Sequence, residues 1–529
     1  MTGLLIGRTL WPFMNRLFLW IAMCALWQTA QGQGTKADYE RAYALRGQIS
    51  GKVFKERISP QWLGGPHFWY QNRLRDGREW VLVDGAAGKR QAFSDKAKFE
   101  KARDALAAKV DLPPKPEKSP RKDHWKSPDG KWRVFTRGYN VWIRATEGNE
   151  EIQLSHDGKE QDRYEGYLRW SPDSRYIGIV RRQQVDERRV QYVESSPSKQ
   201  LQPKSFTRVY AKPGDKIPTY TVHVFEAVKD GKHFTVDPAL VKDPFETREL
   251  KWRPDSSGLL FEHIERGFGA HRVLEIPVAA GKARTLIDET AETFVFVFGN
   301  SFRRDVNDLK EIIWRSERDG WNHLYLYDGV TGKVKNQITK GQWVVREVVE
   351  VDEDKRQITF RASGREPGQD PYYLHTYRVN FDGTGLLRLT KGDGTHSTQV
   401  SPDKTVFIDT WSRVDLPPRH ALRRVSDGKL LCELETADAK DLYATGWQHA
   451  ERFVAKDRDG KFDIHGIICR PSNFDPKKKY PVVEVIYAGP HGSFVPKGWR
   501  SRYGQWRDEL MELGFITVQI DGKGTNHRG

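Results

Sequence analysis

The sequence predicts a mostly β protein: an N-terminal β-propeller of seven or eight blades over residues 33–455, then the first strands of an α/β domain over residues 456–529. Three observations carry this expectation. A short turn motif recurs at blade spacing through the middle of the chain. Beyond residue 455 the texture changes to strand, helix, strand. Aromatic residues make up 12% of the chain, with 18 Trp, which suits pleated surfaces that pack flat rings and branched side chains.

The first 32 residues read as a targeting segment. Arg8 and Arg16 give a positive start, Leu17 to Trp27 is an apolar run of 11 residues, and Ala30-Gln31-Gly32 offers small residues for cleavage. Met14 is an alternative start. The segment predicts a secreted or periplasmic protein, with membrane attachment only if it stays uncleaved, because 11 apolar residues are short for a bilayer. The other two cysteines, Cys432 and Cys469, fall in different expected strands and read as small core hydrophobes rather than a disulfide framework.

The repeat follows. Trp125-Lys126-Ser127-Pro128-Asp129, Trp170-Ser171-Pro172-Asp173, Trp252-Arg253-Pro254-Asp255 and Ser401-Pro402-Asp403 each precede an apolar strand. Pro presets φ and Asp bonds nearby backbone, so each motif is a hairpin turn. Ser127 and Ser171 are 44 residues apart, and Arg253 lies 82 beyond Ser171. A period of about 40–45 with four short strands marks a propeller blade. His323 to Asp328 and Tyr372 to Gly383 are further expected strands, while Glu194 to Pro218 reads as an interrupting loop. A β-sandwich array is the architecture this recurrence disfavours.

In the last stretch, Ile464 to Arg470 is an expected strand. Tyr480 to Tyr487 is a near-continuous apolar run, as in a strand buried on both faces. Trp506 to Leu513 has helical spacing with Gly514 at its cap, and Phe515 to Ile520 is another strand. An α/β domain begins here.

The net charge is +16, but Lys and Arg are scattered, often beside Asp or Glu. A nucleic-acid binder concentrates its charge, so the balance reads as solubility and no nucleic-acid partner is expected. There is no phosphate loop and no zinc spacing, and neither a cofactor nor a metal is expected.

Several segments resemble the dipeptidyl peptidase IV-like branch of the prolyl oligopeptidase-type serine peptidases. Glu317-Arg318-Asp319-Gly320-Trp321-Asn322-His323-Leu324-Tyr325, Tyr210-Ala211-Lys212-Pro213-Gly214-Asp215-Lys216, Asp370-Pro371-Tyr372-Tyr373 and Gly392-Asp393-Gly394-Thr395-His396 are similar to that family's propeller segments. Arg470-Pro471, Tyr480-Pro481, Tyr487-Ala488-Gly489-Pro490-His491 and Asp521-Gly522-Lys523-Gly524-Thr525 resemble the start of its α/β-hydrolase domain. The resemblance implies removal of N-terminal dipeptides from peptides by a Ser-His-Asp triad, with the Ser on a G-x-S-x-G elbow. It implies peptide substrates and allows a homodimer.

No G-x-S-x-G occurs in this sequence; Gly299-Asn300-Ser301 continues as Phe302-Arg303. The triad is therefore expected outside the chain, which reads as a fragment inactive alone. Of the catalytic residues the family implies, Tyr487 is present, as an oxyanion donor. The family's paired glutamates for the substrate amine have no adjacent-Glu counterpart. Glu165, in Tyr164-Glu165-Gly166, is the candidate, and Glu150-Glu151 is a pair that reads as surface charge. His465, His491, His527 and Asp521 read as structural or turn residues. The alternative function is a non-catalytic propeller module that binds peptides or a partner protein. A polyanion-binding propeller, with steep salt dependence, is a weaker third.

Overall fold

A computed structural model describes residues 34–108, 123–299, 301–487, 489–502 and 505–528. The expected targeting segment lies outside the described residues. Among those described, no helix is long and apolar enough to cross a membrane.

The protein is mostly β. Among the described residues from 61 to 436 the chain forms seven successive antiparallel sheets, six of four strands and one of three, with a two-stranded hairpin inserted within the third. They cover residues 61–93, 132–153, 162–235, 244–290, 303–337, 344–388 and 395–436, and are numbered here in that order. Each buries its middle strands. Glu311–Ser316 and Gly258–Glu265, for example, are buried almost throughout.

Neighbouring sheets pack face to face. Val134, Val141 and Ile143 of the second meet Tyr164, Leu168 and Ile177 of the third. Val222 and Val224 of the third meet Leu259 and Phe261 of the fourth. Leu260 and Val273 of the fourth meet Ile312 and Trp314 of the fifth, and Ile313 and Leu324 of the fifth meet Ile358 and Phe360 of the sixth. Between sixth and seventh, the His375 and His396 rings lie 4.5 Å apart.

The first sheet packs on the seventh, through Phe68, Tyr70, Val81 and Val83 against Val406, Ile408 and Leu422. At that junction Glu435, 4% exposed, accepts from the Tyr70 hydroxyl at 2.8 Å and from Asn72 Nδ2 at 2.7 Å, and is bonded by Arg90. A buried carboxylate is tolerated because its oxygens are met. It ties together chain segments more than 340 residues apart.

The recurring turn explains itself. The Ser127 hydroxyl donates to Asp129 and accepts from Trp132 N; Ser171 does the same with Asp173 and Tyr176, and Ser401 with Asp403 and Val406. Successive turns are also linked. Asp129 N donates to Ser174 Oγ at 3.1 Å, and Asp173 N to Ser256 Oγ at 3.0 Å. Trp170 Nε1 donates to Trp125 O, and Trp252 Nε1 to Arg169 O. Ser174 and Ser256 sit in left-handed backbone (φ 64° and 63°), which aims each hydroxyl at the preceding sheet.

Four expectations need correction, the last of them in the final sheet. The strand expected from Tyr372 begins at His375, because Tyr373 N closes a turn onto Asp370 O. The stretch expected as a loop from Glu194 contains Lys204–Val209, paired with Arg189–Glu194 in an exposed hairpin. Cys432 is only half-buried, on an edge strand, whereas Cys469 is buried; both are free thiols.

The last sheet has the order Glu451–Lys456, Asp463–Cys469, Ile516–Ile520, Val482–Val485, its final pair parallel. The run at 480–487 was expected to be buried on both faces. The strand is instead four residues long at the sheet edge, with Val482 60%, Ile486 58% and Tyr487 59% exposed. Helix Lys36–Ile49 starts at a Thr35–Asp38 capping box. In sequence it lies within 33–455, yet Ile49 and Val53 pack with Ile467, Cys469, Trp499 and Met511.

Candidate functional site

Two bulges shape the candidate site. In strand Asp162–Trp170 of the third sheet, pairing jumps from Tyr164–Arg181 to Leu168–Ile179, leaving Glu165, Gly166 and Tyr167 outside the ladder. Gly166 adopts φ 89°, which a residue with Cβ would resist. In Pro244–Trp252 of the fourth sheet, pairing jumps from Arg248–Glu262 to Lys251–Leu260, and Glu249 takes φ 55°. Bulges re-aim side chains. Here they bring Glu165, Tyr167, Glu246 and Glu249 to one cavity of about 640 Å³, with Arg169, Tyr220 and Arg248 also in its wall.

The three carboxylates differ in their engagement. Glu165 accepts from Arg163 Nε at 2.6 Å and Arg182 Nη1 at 3.0 Å. Burial pushes its carboxyl up, but the bonds from Arg182 and Arg163 more than reverse this and hold it below the usual range. Glu246 accepts from Arg248 Nη2 at 2.5 Å. Glu249 is exposed and makes no hydrogen bond or ion pair among the described residues. The arrangement leaves one carboxylate, Glu249, without a bonded partner though within the field of Arg248, beside two that are neutralised.

Reading the sequence alone missed Glu246 and Glu249. They are not adjacent glutamates, and they arrive 81 and 84 residues after Glu165, on another sheet. The sequence signal was slight: two acids flanking Thr247-Arg248 just ahead of a Trp-x-Pro-Asp turn. Glu151 pairs with Arg137 at 2.8 Å and Arg144 at 2.5 Å, on the surface.

Tyr487 lies elsewhere, just beyond strand Val482–Val485. Its ring sits edge-on to Phe494 at 4.5 Å and to His491 at 5.4 Å. The hydroxyl makes no hydrogen bond among the described residues, so it is free to donate. Tyr487 is not in the wall of the Glu165 cavity.

The surrounding residues build a seam between the sixth sheet and the last. Lys497 Nζ bonds Asp370 Oδ2 at 2.8 Å and lies 4.5 Å from the Tyr372 ring. Burial lowers the Lys497 pKa, with Asp370 opposing. His465 Nδ1 is 3.8 Å from the same carboxylate. Asp521 Oδ1 accepts from Phe494 N at 2.8 Å, and burial raises its pKa. His527 is pushed down to about 3 by burial and by Arg346 and Arg315. Lys497 and Asp521 thus fasten residues 494–497, against which the Tyr487 ring packs. Among the described residues no cluster of His, Cys, Asp and Glu could hold a metal ion.

Serial antiparallel sheets with a carboxylate-lined cavity on bulged strands, followed by a sheet whose last pair is parallel, define a large β-repeat protein. Residues 101–418 match the family described as the dipeptidyl peptidase IV N-terminal region, and the chain belongs to that family. It is 23% identical over 457 residues to the probable dipeptidyl-aminopeptidase B of Pyrenophora teres f. teres, covering 76% of this chain and 48% of that protein. It is 24% identical over 375 residues to dipeptidyl peptidase 4 of Trichophyton equinum, covering 68% and 47%. The chain thus spans about half the length of the curated relatives it matches. The crystal structure of Porphyromonas gingivalis dipeptidyl peptidase 4 shares the fold, with a TM-score of 0.56 at 19% identity over 89% of this chain and 65% of that one.

Proposed function

We propose that this chain is the peptide-recognising part of a secreted, dipeptidyl peptidase IV-like serine peptidase: a propeller whose blades are the seven sheets, and the opening strands of an α/β-hydrolase. The observation that carries the reading is the cavity formed by the two bulged strands. Its free carboxylate, Glu249, and its exposed ring, Tyr167, suit the terminal ammonium and first side chains of a peptide. Tyr487 supplies a hydroxyl able to stabilise an oxyanion once a nucleophile is present.

Cleavage needs a nucleophile elbow, and the sequence contains no G-x-S-x-G. That observation supports a second reading for these residues by themselves, a binding module without catalysis. The test is to incubate the chain with a peptide led by Ala-Pro and to follow binding and dipeptide release together. Binding without release is the expected result. Release of the dipeptide would overturn the division of labour, and no binding at all would overturn the recognition role. For localisation, Edman sequencing of the exported protein is expected to begin near residue 33; an intact N-terminus would contradict cleavage.

A further inference from the structure

Beside the carboxylate cavity lies a guanidinium that the peptidase reading does not use. Arg303 opens the first strand of the fifth sheet, and its side chain is 6% exposed. Its Nε donates to Asp305 Oδ1 at 2.8 Å. Its two terminal nitrogens, Nη1 and Nη2, are buried and make no hydrogen bond among the described residues. The Glu262 carboxylate comes within ion-pair range, 3.5 Å from Nη1, without bonding it. Buried donors left unmade are costly, and those of a guanidinium are ionic.

Arg303 lines a cavity of about 280 Å³ together with Arg248, Glu249, Glu262, His271 and Asp305. The acids nearest the guanidinium are already engaged. Glu262 is bonded to His271 Nε2 at 2.9 Å. Asp305 takes Lys251 Nζ at 2.9 Å as well as Arg303 Nε. The outer edge of the Arg303 fork thus makes no hydrogen bond among the described residues, with only Glu262 Oε1 in ion-pair range of Nη1, and its two parallel donors match a carboxylate. Arg248 and Glu249 also line the larger cavity, so the two spaces share a wall.

We propose that this cavity is a carboxylate-binding site, in which Arg303 Nη1 and Nη2 hold the C-terminal carboxylate of a short peptide. The inference goes beyond the peptidase reading and stands on the Arg303 cavity alone. It needs no catalysis, and it would let the inner strands retain a free dipeptide. A side-chain carboxylate of a longer peptide offers the same chemistry.

Calorimetric titration of the full chain with Gly-Pro, its C-terminal amide and Gly-Asp amide tests the site. Gly-Pro is expected to bind at least about tenfold more tightly than its amide, the loss of a charge-assisted pair of hydrogen bonds. Gly-Asp amide binding as weakly as Gly-Pro amide assigns the site to the C-terminal carboxylate. If it instead matches Gly-Pro, the carboxylate site stands with a side chain as its source. Repeating the acid–amide comparison on N-acetylated Gly-Pro removes the ammonium, so a failure of the Glu249 reading is told apart from a failure here. Arg303→Lys keeps a cation beside Asp305 but loses the fork, and is expected to erase the acid–amide difference. Equal binding of acid and amide by the wild-type chain overturns the proposal without reliance on any variant, as does retained discrimination in Arg303→Lys.

Discussion

The seven sheets and the last sheet are built from similarly apolar strands, yet they satisfy them differently. In the fifth sheet, Glu311–Ser316 is buried at every position. In the last sheet, Val482–Val485 carries nearly as apolar a sequence and alternates between exposed and half-buried. The difference lies in the neighbours. Each repeat sheet is flanked by another sheet at packing distance, and turn-to-turn bonds hold several of the contacts in register. The edge strand beside Tyr487 has, among the described residues, a ladder partner on one side only. Hydrophobic sequence thus gives strand tendency; burial comes from the company the strand keeps.

This contrast can be broken first at the junction of first and seventh sheets. Glu435→Ala leaves Arg90 and Lys55 facing an emptied site and frees the Tyr70 hydroxyl. It is expected to lower unfolding free energy by about 3 kcal/mol, read from urea denaturation. An unchanged midpoint would show that this junction contributes little.

Acid provides a second probe of the repeat sheets. Burial lowers the pKa of His223 and His375 to about 3 and of His263 to about 4, so each stays neutral when folded. The unfolded chain takes up these protons near pH 6.5. Stability is therefore complete above about pH 6.5 and falls as pH drops toward 4, each histidine costing about 1 kcal/mol by pH 5.5. Melting temperatures across pH 8 to 5 measure this, and a flat profile would contradict it.

A smaller effect sharpens the role of the turns. Ser256→Ala removes the acceptor for Asp173 N and is expected to cost about 1 kcal/mol. Lys404 occupies the same left-handed position after the last Pro-Asp turn (φ 58°) and reaches Glu350 through its amine instead. Lys404→Ala should cost less, and equal losses would argue against the serine link. The smallest change is expected in the last sheet, where Val482→Thr should stay within about 0.5 kcal/mol. A loss comparable to Ser256→Ala would mean that Val482 is covered.

Much of the fold was legible because the signals were local. His323 to Asp328 is a strand with the expected bounds, and each Pro-Asp motif turns the chain as its chemistry requires. The hairpin at 189–209 was not legible because its strands stay exposed and their short polar–apolar alternation buries nothing. The carboxylate cavity escaped for a different reason. A bulge is defined by the partner strand's register, and neither Gly166 nor Glu249 announces one by itself. The pairing of Glu165 with Arg163 and Arg182 was likewise invisible, since Arg182 comes from the neighbouring strand.

The account turns on Glu249 as the uncommitted carboxylate. The most direct measurement is calorimetric binding of an Ala-Pro-led peptide, free or acetylated at its N-terminus, to the wild-type chain and to Glu249→Gln. The account predicts that acetylation weakens binding to the wild type about tenfold and hardly affects the variant. Equal binding of the two peptides to the wild-type chain would contradict it.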